Sequence, residues 1–494
     1  MSVLTALARV RAMRTGRAQP LATVRHYHLS PRPFVLIPLR LAGEAAAPLA
    51  VMFGTDRDEP TVLIVPQPRD RVLRLRFLEA LAGHLLPHLA SYLDAAEDIT
   101  DRSGEVVGRR CLDAAQLWVP NTGGVDFLGL LGRSVRYHRV DGPNPVPAEI
   151  PLLGRWLTWF AERAERPGSA ALLPMTSVLA MHWASGQSAL EDANLAALLG
   201  WIDPPAGLSG AQAAAFAEDP LASPPAGPAT DPGFDNEELA PLVNAYDTAI
   251  DDVDGTAKTV AAQRLEVALR AQLEPTWQLM WRGLDLLARL PEAANVPTRW
   301  QRDRGSFTYF ADNIDDNIAQ ARRDAAVSAV RRLLDREAAA EAFQAQRAYD
   351  DPRVMAEYRV AGAALRGEVT ACEPDRVDTS GKRAVLRPLI RVETSDPFTA
   401  APGETLFSAE RPNQKAKVLD VDGGVLVLEL SGGMGTGRTA KPGTVPQPGD
   451  QVGFTRFPLT NSAGKLVLPE PEETPWTHGG PPPEFVPDHT EESW

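Results

Sequence analysis

The chain has 494 residues, 44% hydrophobic and 23% charged, with a net charge of −14 and two cysteines, Cys111 and Cys372. That make-up fits a globular protein of two to four domains and excludes a disulfide framework or a thiolate zinc cluster. No apolar run approaches the ~20 residues of a membrane span, so no membrane partner is expected, and a reducing cytoplasm is the expected location.

The total charge hides an asymmetry. Residues 1–43 carry Arg9, Arg11, Arg14, Arg17, Arg25, Arg32 and Arg40 and no acid, whereas residues 469–494 carry Glu470, Glu472, Glu473, Glu484, Asp488, Glu491 and Glu492 and no Lys or Arg. The two ends therefore prefer opposite partners. Heavy use of Ala, Arg, Pro and Gly with little Lys resembles the output of a high-GC bacterial genome.

In chain order, Leu4, Leu7, Val10 and Met13 recur at helical spacing beside arginines and predict a surface helix packed on the first domain, with an anion-binding arm as the rival reading. Three apolar runs follow, at 34–41, 49–55 and 61–65, separated by turn-rich segments. They predict an antiparallel meander. A helix over about 70–94 then offers Leu78, Leu81, Leu85 and Tyr92 to that sheet, giving an α+β domain over 1–202 whose second half is helical.

His84 and His88 stand four apart on that helix, the spacing of two metal ligands. Leu85 occupies the position where zincin chemistry needs a glutamate base, and Pro87 disturbs the turn, so two interfacial histidines are the preferred reading. The segment 116–124 reads as strand, glycine-containing loop and helix, an arrangement able to hold an anion. Lacking either phosphate fingerprint, it reads as an ordinary loop. A Ser188–Glu191 capping box sits between two short helices, but 189–199 offers acids and no base, which rules out a DNA-reading helix.

Residues 203–235 are dense in Pro, Gly and Ala and read as a linker. The acidic group 251–254 lacks the ligand spacing of a calcium loop and reads as a helix start. Over 236–364 a long helical hairpin or stalk, coiled-coil in character, is expected. Leu265, Leu269, Leu273, Trp277, Met280, Leu284 and Leu287 form its apolar stripe, with a kink or break at Pro275. Its tip, 298–310, intersperses Arg299, Arg302 and Arg304 with Trp300, Phe307, Tyr309 and Phe310.

Residues 365–468 alternate apolar and polar positions in five or six short segments, including a hairpin across Gly423-Gly424, and predict a small β-barrel of OB or SH3-like type. Gly432-Gly-Met-Gly-Thr-Gly-Arg-Thr439 matches a phosphate-loop spacing with Arg438 in place of lysine. The proline-rich run after it cannot supply the required helix, so it reads as a barrel loop. The last segment, 469–494, reads as a disordered acidic tail with Trp476, Phe485 and Trp494 as docking side chains.

A helical stalk followed by a small barrel resembles the accessory 1B-type region of superfamily 1 helicases of the nonsense-decay class. Gly367-Glu-Val-Thr370, Ala416-Lys-Val-Leu-Asp-Val-Asp422 and Pro448-Gly-Asp-Gln-Val452 are similar to strand phrases of that region. The resemblance spans about 200 residues and lacks the ATP-hydrolysing core. It implies a nucleic-acid-facing accessory module supplied to a motor, with no helicase activity of its own.

These readings converge on a non-catalytic scaffold or accessory subunit without cofactor. It would contact nucleic acid through Arg299, Trp300, Arg302, Arg304 and Tyr309, with Lys415 and Lys417 on the barrel, and a partner ATPase or helicase. Arginine on phosphate with ring stacking is how single strands are held without base reading. The alternatives are an enzyme of hydrolase or nuclease type with a site in 1–200, drawing on His84, His88, Asp56 and Glu59, and a pure protein-interaction scaffold.

Overall fold

A run of apolar strand residues near the N-terminus builds the central layer. The computed structural model describes residues 2–459 apart from 221, 251–254, 323–325, 382–383, 412 and 436. The tail over 469–494 and the acidic group 251–254 lie outside the described residues. Helix α1 (Val3–Thr15) is followed by β1 (Phe34–Arg40), β2 (Pro48–Gly54) and β3 (Thr61–Ile64), which pair antiparallel as the expected meander. After α2 (Arg71–Ala90) comes a separate hairpin, β4 (Ala96–Thr100) with β5 (Val106–Cys111). Strand β6 (Leu117–Val119), helices α3 (Thr122–Val135) and α4 (Glu149–Ala164), and β7 (Leu172–Pro174) then extend the meander.

The resulting sheet has the order β3-β2-β1-β6-β7, antiparallel on one side and parallel on the other. Strands β1 and β2 are buried at every position but the last, as strands covered on both faces must be. Helices α5 (Met175–His182), α6 (Leu195–Ile202), α7 (Gly210–Glu218) and α8 (Ala240–Thr248) complete this half of the chain.

Three expectations change here. The Pro/Gly/Ala-rich segment 203–235 does not divide two cores: the Pro228 carbonyl accepts from Arg40 N–H at 2.8 Å, Asn121 donates to Gly227 O at 2.8 Å, and Phe234 is buried in the same core as the sheet. Proline and glycine forbid regular ladders there but do not forbid packing. The cover also occupies the start of α3, where Asn121 caps the Gly124 N–H.

The expected stalk is likewise part of the first core. Helix α9 (Thr256–Ala288) runs unbroken through Pro275, and its stripe from Leu265 to Leu287 is buried against the strands. Trp277, fully enclosed, donates its indole N–H to Arg57 O at 2.8 Å and lies 3.3 Å from where a side chain on Gly54 would begin. The expected turn at 298–310 is helical, inside α10 (Val296–Asp315), and α9 and α10 do not run side by side. Each finds its apolar partner in the N-terminal layers: Phe307 and Phe310 insert among Trp156, Trp159 and Tyr92.

Third, α1 packs on the first core as a surface helix, as expected, but through Ala12 alone, leaving Leu7, Val10 and Met13 of its apolar stripe facing solvent at 62%, 45% and 64% exposure. Its polar face is what is tied down: Ser2 and Thr5 donate to Glu357 at 2.6 and 2.8 Å, and Arg9 donates to Gln187 O.

Helix α11 (Ala326–Asp350) and the short α12 (Pro352–Val360) lead into the barrel. Strands β8 (Ala364–Glu373), β9 (Leu389–Glu393), β10 (Thr405–Ser408), β11 (Lys415–Asp422), β12 (Val425–Ser431) and β13 (Gln451–Thr455) close in the order β8-β9-β12-β11-β10-β13, antiparallel throughout. Gly423 and Gly424, at φ 54° and 94°, make the tight turn between β11 and β12. Met434 of the glycine-rich segment and Val445 of the proline-rich run after it pack into the barrel core, so the segment acts as the barrel loop expected of it. Among the described residues no helix is long and apolar enough to cross a membrane.

Replacing Trp277 with alanine should lower stability by about 3–5 kcal/mol, since it empties a fully packed site. Urea unfolding followed by circular dichroism measures this, and a loss below about 1 kcal/mol would contradict burial of α9 in the first core.

Candidate anion-binding cleft

Where α4 ends, the chain turns through Arg166, Pro167, Gly168 and Ser169 before entering β7, and this turn meets α10 and α11. Gly168 has φ +80°, and a side chain there would begin 2.9 Å from Arg299 Cδ and 3.1 Å from the Phe343 ring. Only glycine allows both to approach. Arg299, Arg302 and Asp303 share one face of α10 by their three- and four-residue spacing, while Ala339, Ala342, Phe343 and Gln346 share one face of α11. Together with Arg163 and Arg166 they line a narrow cleft that opens to solvent.

Asp303, 2% exposed, organises the cleft. Its carboxylate accepts from Arg163 Nη2 at 2.6 Å, Ser169 Oγ at 2.8 Å and Ala170 N at 2.7 Å. Arg299, 7% exposed, donates to Gln346 Oε1 at 2.6 Å and to His26 O at 2.7 Å, and its guanidinium lies 5.0 Å from the Phe343 ring centre. Arg166 pairs with Asp335, and Arg332 and Arg336 of α11 pair with Glu162 of α4 and with Glu165 just past its end, so α11 is latched across the cleft. Arg302 is exposed at the mouth and has no hydrogen-bond or ion-pair partner among the described residues.

Burial pushes Arg299 and Arg166 below the usual guanidinium range, and the like charges of Arg302 and Arg163 act in the same direction. Both stay cationic at neutral pH, because arginine starts so high. An anion between the four would relieve their mutual repulsion.

The residues proposed for nucleic acid separate on the fold. Arg299 and Arg302 reach this cleft. Trp300 is buried, stacked on His28 at 4.2 Å with its indole donating to Asp113 at 2.9 Å, and Arg304 is spent on Cys111 O and Glu97. Neither offers a free surface, because the turn expected to carry them is a helix packed on β5. Tyr309 is 70% exposed on the outer side of α10. Lys415 and Lys417 are exposed on β11; Lys415 lies over Phe407, and Lys417 sits opposite Glu429 across the strands.

The rival candidates are also placed. His84 meets the edge of Phe53, and His88 is half-buried between Phe34 and Tyr92, where burial lowers it to about 4 and Arg32 adds to the effect. Asp56 and Glu59 are exposed in the β2–β3 turn, Asp56 accepting from Asp58 N at 2.9 Å. No group of three or more His, Cys, Asp or Glu able to hold a metal occurs among the described residues.

A cluster that no spacing announced lies behind the cleft. His26 and His182 stack at 5.5 Å, and His26 Nε2 is 3.7 Å from the Asp351 carboxylate. Asp351 accepts from Thr23 N at 2.6 Å and Arg353 N at 2.9 Å, and His182 Nδ1 donates to Val178 O at 2.7 Å while Nε2 accepts from His26 N. All three side chains are sealed from solvent, which leaves no route for a substrate to this pair. Comparison with protein-family models, with curated proteins and with solved structures gives no match to this chain.

Burial, reinforced by Arg347, His182 and Arg299, holds His26 at about 2, and burial holds His182 at about 4 despite Val178 O and Asp351, both below the ordinary imidazole value of 6.5. The unfolded chain therefore binds more protons than the folded one between these values, so stability is full above pH 6.5 and falls as the pH drops toward 4. Urea midpoints across that window should fall accordingly, and less steeply in His26→Phe. Asp303→Ala should cost about 3–5 kcal/mol at neutral pH, because it strands the Arg163 charge.

Proposed function

We propose that this protein is a non-catalytic accessory subunit that holds nucleic acid by its phosphates at the four-arginine cleft and positions it for a partner protein. The observation that carries this reading is the charge in the cleft: four guanidinium groups have only two carboxylates, Asp303 and Asp335, in contact. Asp350, held by Asn295, also acts on Arg299, ahead of Asp303 in its effect. Arginine neither takes up nor releases protons near neutral pH, and its planar fork matches phosphate oxygens, so such a cluster binds anions and leaves chemistry to others.

Trp300 drops out of the stacking, since it, Phe307 and Phe310 are interior side chains, and Tyr309 is the one ring of the group left exposed. What remains is phosphate recognition, which is tolerant of sequence. The closed antiparallel barrel, read as OB or SH3-like, is the part of the likeness to the helicase accessory module that remains, since the expected stalk packs into the first core. That resemblance is the support for a motor ATPase as partner. The exposed apolar side of α1, with Val3, Leu7, Val10 and Met13, favours a second reading, a protein-interaction scaffold that needs no nucleic acid.

Fluorescence anisotropy with a labelled single-stranded oligonucleotide at about 50 and 200 mM salt separates the two. Binding that weakens with salt, and weakens roughly tenfold or more in Arg302→Ala, is the expected result. A flat salt response with unchanged affinity in that variant would leave the scaffold reading in its place.

A further inference from the structure

Helix α1 presents an apolar stripe and free positive charge side by side. Val3, Leu7 and Val10 recur at four- and three-residue steps on the side away from the buried Ala12, and all three are exposed, with Met13 beside them. Arg11 and Arg14 are exposed on the same side, and their guanidinium groups have no hydrogen-bond or ion-pair partner among the described residues. Arg9 is engaged with Gln187 O and Asp192, and Arg17 reaches Asp203 only at 3.8 Å. The helix contains no acid.

We propose that the acidic end of this same chain, residues 469–494, docks on the exposed side of α1, with its rings on Val3, Leu7 and Val10 and its carboxylates on Arg11 and Arg14. Neither surface belongs to the arginine cleft. Three observations favour this occupant, and the first is place. Phe457 packs on Tyr358, ring centres 4.7 Å apart. Glu357, the residue before Tyr358, accepts from Ser2 at 2.6 Å and from Thr5 at 2.8 Å, at the first turn of α1. The chain therefore continues past Leu459 from a point near the start of the helix that it would cover. At 1.5 Å per residue α1 is ~20 Å long, whereas residues 460–494 can span on the order of 100 Å, so reach is no obstacle.

The second observation is charge. Residues 469–494 hold seven carboxylates and no Lys or Arg, while residues 2–17 hold four arginines and no acid. The third is pattern. Glu472 and Glu473 precede Trp476, Glu484 precedes Phe485, and Glu491 and Glu492 precede Trp494, so each ring travels with acids. The stripe of α1 has aliphatic side chains beside guanidinium groups, which meets ring and carboxylate together. A free peptide would hold so small a face weakly. The covalent link supplies a local concentration on the order of millimolar, which favours the chain's own end over a second copy.

The test places the photo-crosslinker benzoylphenylalanine at Leu7 of the full chain and maps the products by mass spectrometry. Leu7 is exposed, so the urea midpoint should match the parent's. The expected product is a crosslink within one chain to residues 469–494, in a yield that does not change on dilution. Raising salt to about 500 mM should lower that yield roughly threefold or more, and so should Arg11→Gln combined with Arg14→Gln. A variant with the seven acids of 469–494 replaced by their amides leaves every described residue unchanged and should show the same loss. Crosslinks found only between chains would mark a second copy as the occupant and overturn the proposal. Crosslinks that never reach 469–494, or a yield indifferent to salt and to both variants, would overturn it as well.

Discussion

The buried carboxylate of Asp303 is the interaction on which the functional geometry depends. It gathers an arginine of α4, a serine hydroxyl and a backbone N–H of the following turn, and thereby ties α10 to the end of the sheet. A carboxylate this enclosed is tolerable only with such a set of donors. Once it is in place, α10 cannot rotate, and the neighbouring residues on its face, Arg299 and Arg302, are aimed into the same cleft.

That constraint reaches the barrel through α11. One end of this helix is latched to α4 by ion pairs, its middle forms the cleft wall, and its last turn carries Tyr349, whose hydroxyl lies 2.8 Å from Thr455 Oγ1 and donates to Phe457 O. Individually exposed ion pairs contribute little. Here they act with the buried Phe343 and Gln346, so the helix forms a continuous connection between the anion cleft and the barrel. The Arg359–Asp396 pair, with two contacts at 2.8 and 2.9 Å, fixes the barrel's first strand to the same junction.

Elements defined by local pattern were legible in the chain. The meander, α2, the α9 stripe, the β11–β12 turn and a small closed barrel all follow from side-chain period and turn residues, which act over a few positions. The strand β6 was legible as the strand ahead of a glycine-containing loop, whereas β7 was harder to read, because a three-residue parallel strand carries no period of its own. The segment 203–235 misleads for a related reason: its composition records an irregular backbone, not the surface to which that backbone is attached. The stripe of α9 showed that the helix has a buried side but not which element buries it.

What the sequence determined by itself was therefore the inventory: apolar periods, turns, a basic beginning, an acidic end, and arginines set among aromatic rings over 299–310. Tertiary structure alone decided how that last group divides. Trp300 and Phe307 become core, Arg304 becomes an internal tie, and Arg299 and Arg302 join Arg163 and Arg166 from more than a hundred residues away. The His26–His182–Asp351 cluster was hidden for the same reason. Charge and hydrophobicity belong to single residues and survive in the sequence, whereas convergence depends on long-range packing, and no local spacing records it.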